Sequence, residues 1–488
     1  MVATQDSAST KDSRRASQLP AGGLDPSRFE WAEAWYPVHY TKDLSKTKLT
    51  RFTLLEQNLV IWWEPQTQSW RVFSDRCPHR LAPLSEGRIN EAGLLECLYH
   101  GWAFSGNGQC QKIPQQPPDG EAHLAERACA NSLPVSVRQG LLFVYPGKPE
   151  NAARVSIPTI EPLEANAEDW TTIDTFRDLP YDALTLLENF SDVSHTSYAH
   201  HNTMSKRENA APIRMDIISS GRQGFEGIWP EGPRKGKLGT QKTTFVAPSL
   251  MYHDLTSSRI GRTLIVAYAT PICKGKCRVF ARFPFKFSSK LPGLLVGLIP
   301  RWYGHIRNNQ ILEDDLVLLH LQERLLEKAG VGASKTMSDW AIASLSQNSQ
   351  YTTACYLPTQ ADRYVVAFRR WVRVFSADPF PQQILPPAGS LEILVDRYYS
   401  HTKHCSSCYS TLRRIRKIRK VISIVGIALW ALLPSIAMLF NSVSPLLGVL
   451  LAMISLTVGI SWLWIGKLEQ DFCKGKTTPP RNLPDRRA

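Results

Sequence analysis

Residues 75–108 decide the fold of this chain: DRCPHRLAPLSEGRINEAGLLECLYHGWAFSGNG. This stretch contains Cys77-x-His79 and, after seventeen intervening residues, Cys97-x-x-His100. Two thiolates and two imidazoles at this spacing suit either tetrahedral zinc or an iron–sulfur cluster in which the cysteines hold one iron and the histidines the other. The four residues are therefore candidate ligands of a metal centre.

The residues around these four ligands favour the iron–sulfur cluster over zinc. Gly101 and the Gly-Asn-Gly at 106–108 permit tight loops that direct backbone N–H groups at sulfide. With Arg80, Pro83 and Trp102, the whole string resembles the signature of Rieske proteins of the oxygenase type. The resemblance implies a [2Fe–2S] cluster whose imidazole ligands raise its reduction potential, so that it accepts electrons from low-potential donors such as ferredoxin.

A second set of candidate ligands lies at residues 186–203, LLENFSDVSHTSYAHHNT. It contains Asn189, Asp192, His195 and His200 in the pattern N-x-x-D-x-x-H-x-x-x-x-H. Two histidines and a carboxylate on one face, with open coordination positions, form the facial triad of non-haem Fe(II) oxygenases. A Rieske cluster relays electrons, and this segment predicts the mononuclear iron that receives them.

Residues 183–201 are predicted to form a helix, which sets a geometric condition on the two histidines. Positions five apart are separated by about 140° around an ideal helix. His195 and His200 converge only if the helix ends or bends near Ala199, and the polar residues that follow permit such an end. His201 is the rival ligand, although the spacing favours His200.

The third iron ligand is expected from a distant carboxylate on an amphipathic helix predicted over residues 308–329. Glu313 is expected to face solvent. Asp314 and Asp315 both share faces with leucines, so periodicity does not choose between them. A carboxylate on a leucine-rich face costs free energy unless it binds a metal or forms hydrogen bonds, so one of these two aspartates is the candidate.

The apolar content of the chain rises abruptly at residue 421. Residues 421–440 and 446–465 are two uncharged stretches, each long enough to cross a bilayer, joined by the short polar connection 441–445. Basic residues flank both stretches, at 413–420 and from Lys467 onward. The positive-inside rule therefore predicts a transmembrane hairpin whose two ends lie on the cytoplasmic or stromal side, together with the soluble domains.

The formal net charge of +14 follows this distribution. Residues 411–488 hold twelve Lys and Arg against three acids, so the C-terminal part supplies most of the charge. Such a distribution indicates a membrane flank and excludes the basic footprint of a nucleic-acid-binding protein.

Ten cysteines in 488 residues are too sparse for a secreted disulfide scaffold and suit a reducing compartment. Residues 1–29 are polar and Ser-rich, and are expected to form a disordered leader.

The two motifs together resemble the pheophorbide a oxygenase family, which includes chlorophyllide a oxygenase and the Rieske protein of the chloroplast inner envelope. The resemblance also rests on WYPVHY at 35–40, SHTKHCSSC at 400–408 and the paired C-terminal stretches. It covers roughly residues 30–470. In related oxygenases the third iron ligand precedes a glutamine by seven positions, and Asp315 with Gln322 matches that spacing.

The resemblance implies a complete electron path. Reduced ferredoxin would supply electrons to the cluster, and Asp192 would link a cluster histidine of one subunit to His195 of the next, which implies a homotrimer. Asn189 would lie beside the iron. Fe(II) would activate O₂ against a chlorophyll-derived tetrapyrrole, either pheophorbide a or a related chlorophyllide. Membrane lipid is the further expected partner.

Cys405 and Cys408 form a separate CxxC pair just before the apolar stretches. In similar chlorophyll-related proteins this motif is proposed to respond to thioredoxin, and a neighbouring thiol favours disulfide chemistry. Alternatively the pair binds zinc with His401 and His404, or consists of ordinary thiols. The Cys-Lys-Gly-Lys-Cys at 273–277 is interpreted as a hairpin loop.

The sequence thus predicts an α+β protein: an N-terminal all-β Rieske [2Fe–2S] domain, a helix-grip-like α+β catalytic domain with mononuclear Fe(II), and a C-terminal transmembrane helical hairpin. The alternative function is a membrane-bound redox sensor or electron carrier without oxygenase activity. The expected boundaries are 1–29 for the leader, 30–150 for the Rieske domain, 151–400 for the catalytic domain, 401–420 for the CxxC and basic segment, 421–466 for the hairpin and 467–488 for a polar tail.

Overall fold

The structure is a computed structural model, and its description covers residues 29–165, 167–257, 261–331, 350–375, 378–381, 383–439 and 445–482. The predicted leader lies outside the described residues except for Phe29. The polar connection between the two apolar stretches, apart from Pro445, and the end of the polar tail from residue 483 also lie outside them.

The N-terminal region is built from short antiparallel strands, as its alternating apolar and polar residues predict. Trp62 on β3 and Phe73 on β4 meet edge to face at 5.6 Å, beneath the loops that carry Cys77 and Cys97. Three sheets have the orders β2-β3-β4-β9, β5-β6-β7-β8 and β1-β11-β10. The strands are β1 Tyr36–Tyr40, β2 Thr50–Leu54, β3 Gln57–Glu64, β4 Ser69–Ser74, β5 Arg88–Ile89, β6 Leu95–Glu96, β7 Ala103–Phe104, β8 Cys110–Lys112, β9 Ser132–Leu133, β10 Val135–Arg138 and β11 Leu141–Val144.

The larger body contains a seven-stranded antiparallel sheet in the order β12-β18-β17-β16-β15-β14-β13. Its longest strands are joined by a tight turn at Lys274–Gly275, which confirms the hairpin predicted for residues 273–277. The remaining strands are β12 Thr171–Leu179, β13 Asp216–Gly221, β14 Gly224–Trp229, β15 Gln241–Val246, β16 Leu250–Ser257, β17 Gly261–Cys273 and β18 Lys276–Phe287.

Helices pack on this sheet, so the α+β class is confirmed. The sheet core is rich in aromatic side chains, and Phe245 packs edge to face on Phe368 and Trp371 of a helix that crosses β13 and β14. The helices are α1 Glu161–Ala165, α2 Ala183–Ser191, α3 Thr196–Ala199, α4 Lys290–Gly297, α5 Arg301–Lys328, α6 Gln350–Ala354, α7 Arg363–Phe375, α8 Leu391–Leu394, α9 Ser406–Leu439 and α10 Pro445–Cys473.

Two predicted helices have different limits from those expected. The helix predicted over residues 183–201 is broken into α2 and α3 by a turn at residues 192–195, because the carboxylate of Asp192 accepts hydrogen bonds from the backbone N–H and hydroxyl of Ser194. The helix predicted over 308–329 begins at Arg301, seven residues earlier. The extra turns of α5 carry His305, a buried side chain.

α9 and α10 contact each other as antiparallel helices. Arg416 pairs with Glu469 at 2.9 Å, and the indole N–H of Trp462 donates to the hydroxyl of Ser423 at 2.9 Å. Within the described residues, one segment, Gly448–Cys473, is long and apolar enough to cross a membrane. The transmembrane hairpin therefore stays a prediction.

The expectation that Glu313 faces solvent is wrong. Its carboxylate is buried between two buried guanidinium groups, at 2.7 Å from Arg177 of β12 and 2.6 Å from Arg397. Burial raises the pKa of Glu313, but the two arginines outweigh that effect and hold the pKa below its ordinary value. Helical periodicity missed this role because both partners lie in other segments of the chain.

We expect Glu313→Gln to lower the free energy of unfolding by about 3–5 kcal/mol, because it leaves two buried guanidinium groups without a counter-charge. Thermal unfolding of the detergent-solubilised chain should shift down by roughly 3–10 °C. Asp169→Asn is the matched control, because Asp169 and Lys286 are both more than two-fifths exposed, and its effect should stay within about 1 kcal/mol. Equal shifts for the two variants would contradict this role for Glu313.

Candidate metal centres

The four residues of the first motif lie on two loops with the same backbone turn. In each loop the residue four positions after the cysteine donates its N–H to the cysteine carbonyl: Leu81 to Cys77 at 2.9 Å, and Gly101 to Cys97 at 3.0 Å. Both donors have positive φ, +60° and +72°. Glycine adopts this conformation without strain, and a Cβ at Gly101 would also lie 3.0 Å from Pro114.

These loops place the thiols and imidazoles at different depths. Cys77 and Cys97 are each 2% exposed, while His79 lies at the surface. The imidazoles of His79 and His100 have centroids 4.6 Å apart, and His79 stacks on Trp102 at 4.6 Å. A buried thiol pair with an outer imidazole pair fits a [2Fe–2S] cluster whose histidine-bound iron faces the surface.

Electrostatics of the thiols agree with this fit. Burial and the neighbouring Cys97 thiol raise the pKa of Cys77 to about 12. Two adjacent buried thiolates therefore require positive charge, which the ferric and ferrous ions of a cluster supply.

The second motif surrounds α3, whose short length brings its two histidines together. His195 precedes the helix and His200 follows it, and their Nε2 atoms lie 3.2 Å apart. The Nδ1 atom of His195 contacts the backbone carbonyl of Asp192, which leaves Nε2 directed at His200. Asp192 thus acts on His195 through its carbonyl, while its carboxylate shapes the turn through Ser194.

Asp315 of α5 completes this group. Its Oδ2 atom lies 3.1 Å from Nε2 of His200 and 3.7 Å from Nε2 of His195. One ligand atom from each of the three residues lies within 4.8 Å of the others. Asp314 approaches the opposite nitrogen of His200, with Oδ2 3.2 Å from Nδ1, so the two aspartates occupy different positions that periodicity could not separate.

His201 points elsewhere, although it is as buried as His200. Its Nδ1 atom accepts a hydrogen bond from the backbone N–H of Arg207 at 3.2 Å. The group of nearby ligand atoms contains His195, His200 and Asp315, without His201.

The charges of this group suit a divalent cation. Burial lowers the pKa of His200, but the hydrogen bonds that its ring donates to the carboxylates of Asp314 and Asp315 raise it to about 9. Burial raises the pKa of Asp315, but His195 and His200 outweigh that effect and hold it well below its usual range. Without a metal, the imidazoles beside the buried carboxylate of Asp315 tend to bind protons. A ferrous ion can take the place of those protons, so the three side chains fit such an ion.

A cavity of about 440 Å³ opens directly onto these three side chains. Its walls are mostly apolar, and Asn189 and Asp192 line it beside the histidines. The exposed residues Arg234 and Lys235 stand at its rim. Apolar wall residues come from the sheet and from α5: Trp229, Leu255, Ile265, Phe283 and Leu312.

His253 is a cavity residue that the sequence did not reveal. It lies on β16, donates from Nε2 to the carbonyl of Phe190 at 3.1 Å and stacks on that ring at 4.6 Å. Its Nδ1 atom accepts from the hydroxyl of Thr243 at 2.9 Å. These contacts hold the C-terminal end of α2, where Asn189 and Asp192 lie, but a single histidine within a strand carries no recognisable motif.

Cys405 and Cys408 are buried together at the start of α9. They lie with His401 and His305 in a second group of potential ligand atoms within 4.8 Å of one another. The expected partner His404 lies outside this group. Burial and the nearby charge of Arg278 lower the pKa of its ring to about 4.

Comparison with known proteins agrees with the two motifs. The Rieske [2Fe-2S] domain family matches residues 34–137, and the pheophorbide a oxygenase family matches residues 245–332. The chain is 39% identical over 424 residues to the chloroplastic pheophorbide a oxygenase of Oryza sativa subsp. japonica, covering 80% of this chain and 76% of that protein. It is 36% identical to the corresponding enzyme of Arabidopsis thaliana, covering 83% of this chain and 78% of that enzyme.

Solved structures share the fold. Pseudomonas putida CBB5 NdmA with caffeine matches 74% of this chain and 98% of its own, with a TM-score of 0.52 at 19% identity. Dicamba monooxygenase bound to dicamba matches 70% of this chain and 97% of its own, with a TM-score of 0.51 at 22% identity. The chain therefore belongs to the pheophorbide a oxygenase family of Rieske non-haem iron oxygenases, which use a [2Fe–2S] cluster and a mononuclear iron.

Proposed function

We propose that this protein oxygenates a chlorophyll-derived tetrapyrrole, pheophorbide a or a related chlorophyllide, with O₂ and electrons from ferredoxin. The observation that carries the proposal is the convergence of His195, His200 and Asp315 at the wall of a large apolar cavity. An electron carrier needs no such cavity beside a second metal centre. The two pheophorbide a oxygenases that resemble the chain over most of its length support the substrate class.

We assign the ligands residue by residue. Cys77 and Cys97 would hold the inner iron of the cluster, and His79 and His100 would hold the outer iron, where a donor protein could reach it. His195, His200 and Asp315 hold the mononuclear iron. A ferrous ion held by these three side chains would supply the activation of O₂.

The other polar residues of the site orient these ligands or line the cavity beside them. Asp314 holds the Nδ1 side of His200 at 3.2 Å, so that Nε2 is presented to the metal. Asn189 and Asp192 line the cavity beside the iron ligands. We infer that Asp192 links the two metal centres across a subunit boundary in a homotrimer.

The cavity suits a flat apolar macrocycle that carries an acid group. Its volume of about 440 Å³ lies within the range of small-molecule sites, and its walls are mostly hydrocarbon. Arg234 and Lys235 at the rim suit the propionate carboxylate of a chlorin such as pheophorbide a. The macrocycle would then lie against the apolar wall with its carboxylate toward solvent.

We propose that α9 and α10 cross a chloroplast membrane as a hairpin, with the domains assigned above on the stromal side. Large apolar side chains stand exposed on both helices, among them Ile427 and Trp430 on α9 and Leu456 and Leu463 on α10. Exposed apolar surface of this extent marks a lipid or protein contact. The chloroplastic location of the related oxygenases supports this membrane.

The test uses anaerobically purified full-length chain with ferredoxin, its reductase, O₂ and pheophorbide a or chlorophyllide a. We expect O₂ consumption with an oxygenated product in mass spectra, and about three irons per chain. His195→Ala should abolish turnover, reduce the iron content to about two and leave the Rieske absorption unchanged. Two irons in the wild-type chain, without O₂ consumption, would favour the redox carrier instead, whereas an active His195→Ala variant would reject His195 as an iron ligand.

The two neighbouring aspartates should behave differently. We expect Asp315→Asn to lose the mononuclear iron, because the amide removes the ligand charge. Asp314→Asn should retain the iron with about 10- to 100-fold weaker affinity, because it only loosens the orientation of His200. Iron titration of the two variants, which differ by one position on the same helix, measures this. The opposite ranking would assign Asp314 as the ligand.

The basic rim predicts a preference for acids. Lys235→Gln should raise KM for pheophorbide a roughly two- to fivefold, the effect of losing one exposed ion pair, with little change in kcat. The same variant should not change KM for methyl pheophorbide a, which lacks the carboxylate. Lys237→Gln, outside the cavity lining, is the control variant. A KM that rises equally for acid and ester would reject the pairing.

A further inference from the structure

We propose that His305, His401, Cys405 and Cys408 form a structural zinc site, separate from both iron centres, at the junction between the catalytic domain and the C-terminal helix pair. All four side chains are buried, with exposures of 2% or less. One ligand atom from each lies within 4.8 Å of the other three. The set is two thiols and two imidazoles, which is a donor set of structural zinc.

The distances that the histidine nitrogens make to the other donor atoms are slightly shorter than the edges of a zinc tetrahedron, so a small outward shift of the side chains would admit the ion. Nδ1 of His305 lies 3.1 Å from Nε2 of His401 and 3.3 Å from the sulfur of each cysteine. Nε2 of His401 lies 3.3 Å from the sulfur of Cys408. Zn–N bonds of about 2.0 Å and Zn–S bonds of about 2.3 Å require tetrahedral edges of roughly 3.3–3.8 Å.

Hydrogen bonding alone does not account for this packing. A ring nitrogen offers one proton or one lone pair, yet Nδ1 of His305 is within 3.3 Å of three other donor atoms at once. Convergence of four lone-pair atoms around a common point is what a single cation produces.

The surroundings fix the ring of His401 as a ligand. Its Nδ1 atom donates to the backbone carbonyl of Phe176 on β12 at 2.6 Å, which leaves Nε2 unprotonated and directed at the other three donors. A metal-binding histidine typically has this second hydrogen bond. His305, on α5, is the ligand that no local motif could supply, because it lies about a hundred residues before the CxxC.

Zinc is favoured over iron at this position because protein side chains supply the complete set of ligands. Four protein ligands fill a tetrahedral site and leave no position for substrate, as in structural zinc sites. Such an ion would join the first turns of α5 and α9, so that the helix that carries Asp315 is also tied to the membrane end of the chain. The role is therefore structural.

The first experiment measures metals in the wild-type, full-length chain purified in detergent without oxygen. We expect about one zinc per chain in the same sample that holds about three irons, so that the zinc cannot occupy the iron sites. X-ray absorption at the zinc edge should give two sulfur neighbours at about 2.3 Å and two nitrogen neighbours at about 2.0 Å. The proposal would be overturned by a chain that contains no zinc or that has a Cys405–Cys408 disulfide in its place. A fourth iron, or zinc with only nitrogen and oxygen neighbours, would also overturn it.

Variants then locate the zinc. His305→Gln should lower the zinc content at least fivefold while the Rieske absorption and the three irons persist. His404→Gln is the matched control, because His404 belongs to the same segment but lies outside the group, and it should keep its zinc. Full zinc content in His305→Gln, or equal loss in both variants, would overturn the assignment. The X-ray absorption measurement uses the wild-type chain, so it tests the zinc site even if a variant fails to fold.

Discussion

The ion pairs of Glu313 with Arg177 and Arg397 are the constraint on which the arrangement of this protein depends. Burying three charges costs several kcal/mol per ion unless their geometry is closely matched, so these contacts hold α5 in one position against β12 and the segment that leads into α9. From that position α5 presents Asp315 to the two histidines that flank α3 at one point and His305 to the CxxC pair at another. One helix therefore sets the geometry of two groups of ligand atoms.

The cavity follows from the same arrangement. The antiparallel sheet supplies an apolar wall, and α5 closes the side that carries Asp315. His253 on the sheet holds the C-terminal end of α2, so that the turn at Asp192 directs His195 toward His200. The iron ligands form one polar side of an otherwise apolar cavity. This arrangement suits an oxygenase, because the reacting centre is fixed while the substrate is held mainly by hydrophobic contact.

The chain contains two sets of two cysteines and two histidines, and their environments differ. In the first set, the histidines lie near the surface, as electron entry from a partner requires. In the second set, His305, His401, Cys405 and Cys408 are buried on every side, which suits a permanent structural role. The residue types are the same in both sets, so the exposure of the histidines is what distinguishes the electron-transfer cluster from the structural zinc site.

The sequence alone determined the family, the all-β N-terminal region and the α+β class, and it predicted the candidate ligands of both iron motifs, because motifs and strands are recognised from spacings between residues close together in the chain. Periodicity did not separate Asp314 from Asp315, which only the resemblance to related oxygenases distinguished, and it did not reveal the break at Asp192, the burial of Glu313, or the membership of His305 rather than His404 in the cysteine group. The break at Asp192 depends on hydrogen bonds from Ser194, whereas the other features depend on segments about a hundred residues apart in the chain. Helical and strand periodicity reports which face of an element is apolar, whereas only the tertiary packing decides which charged or ligating group of another segment that face meets.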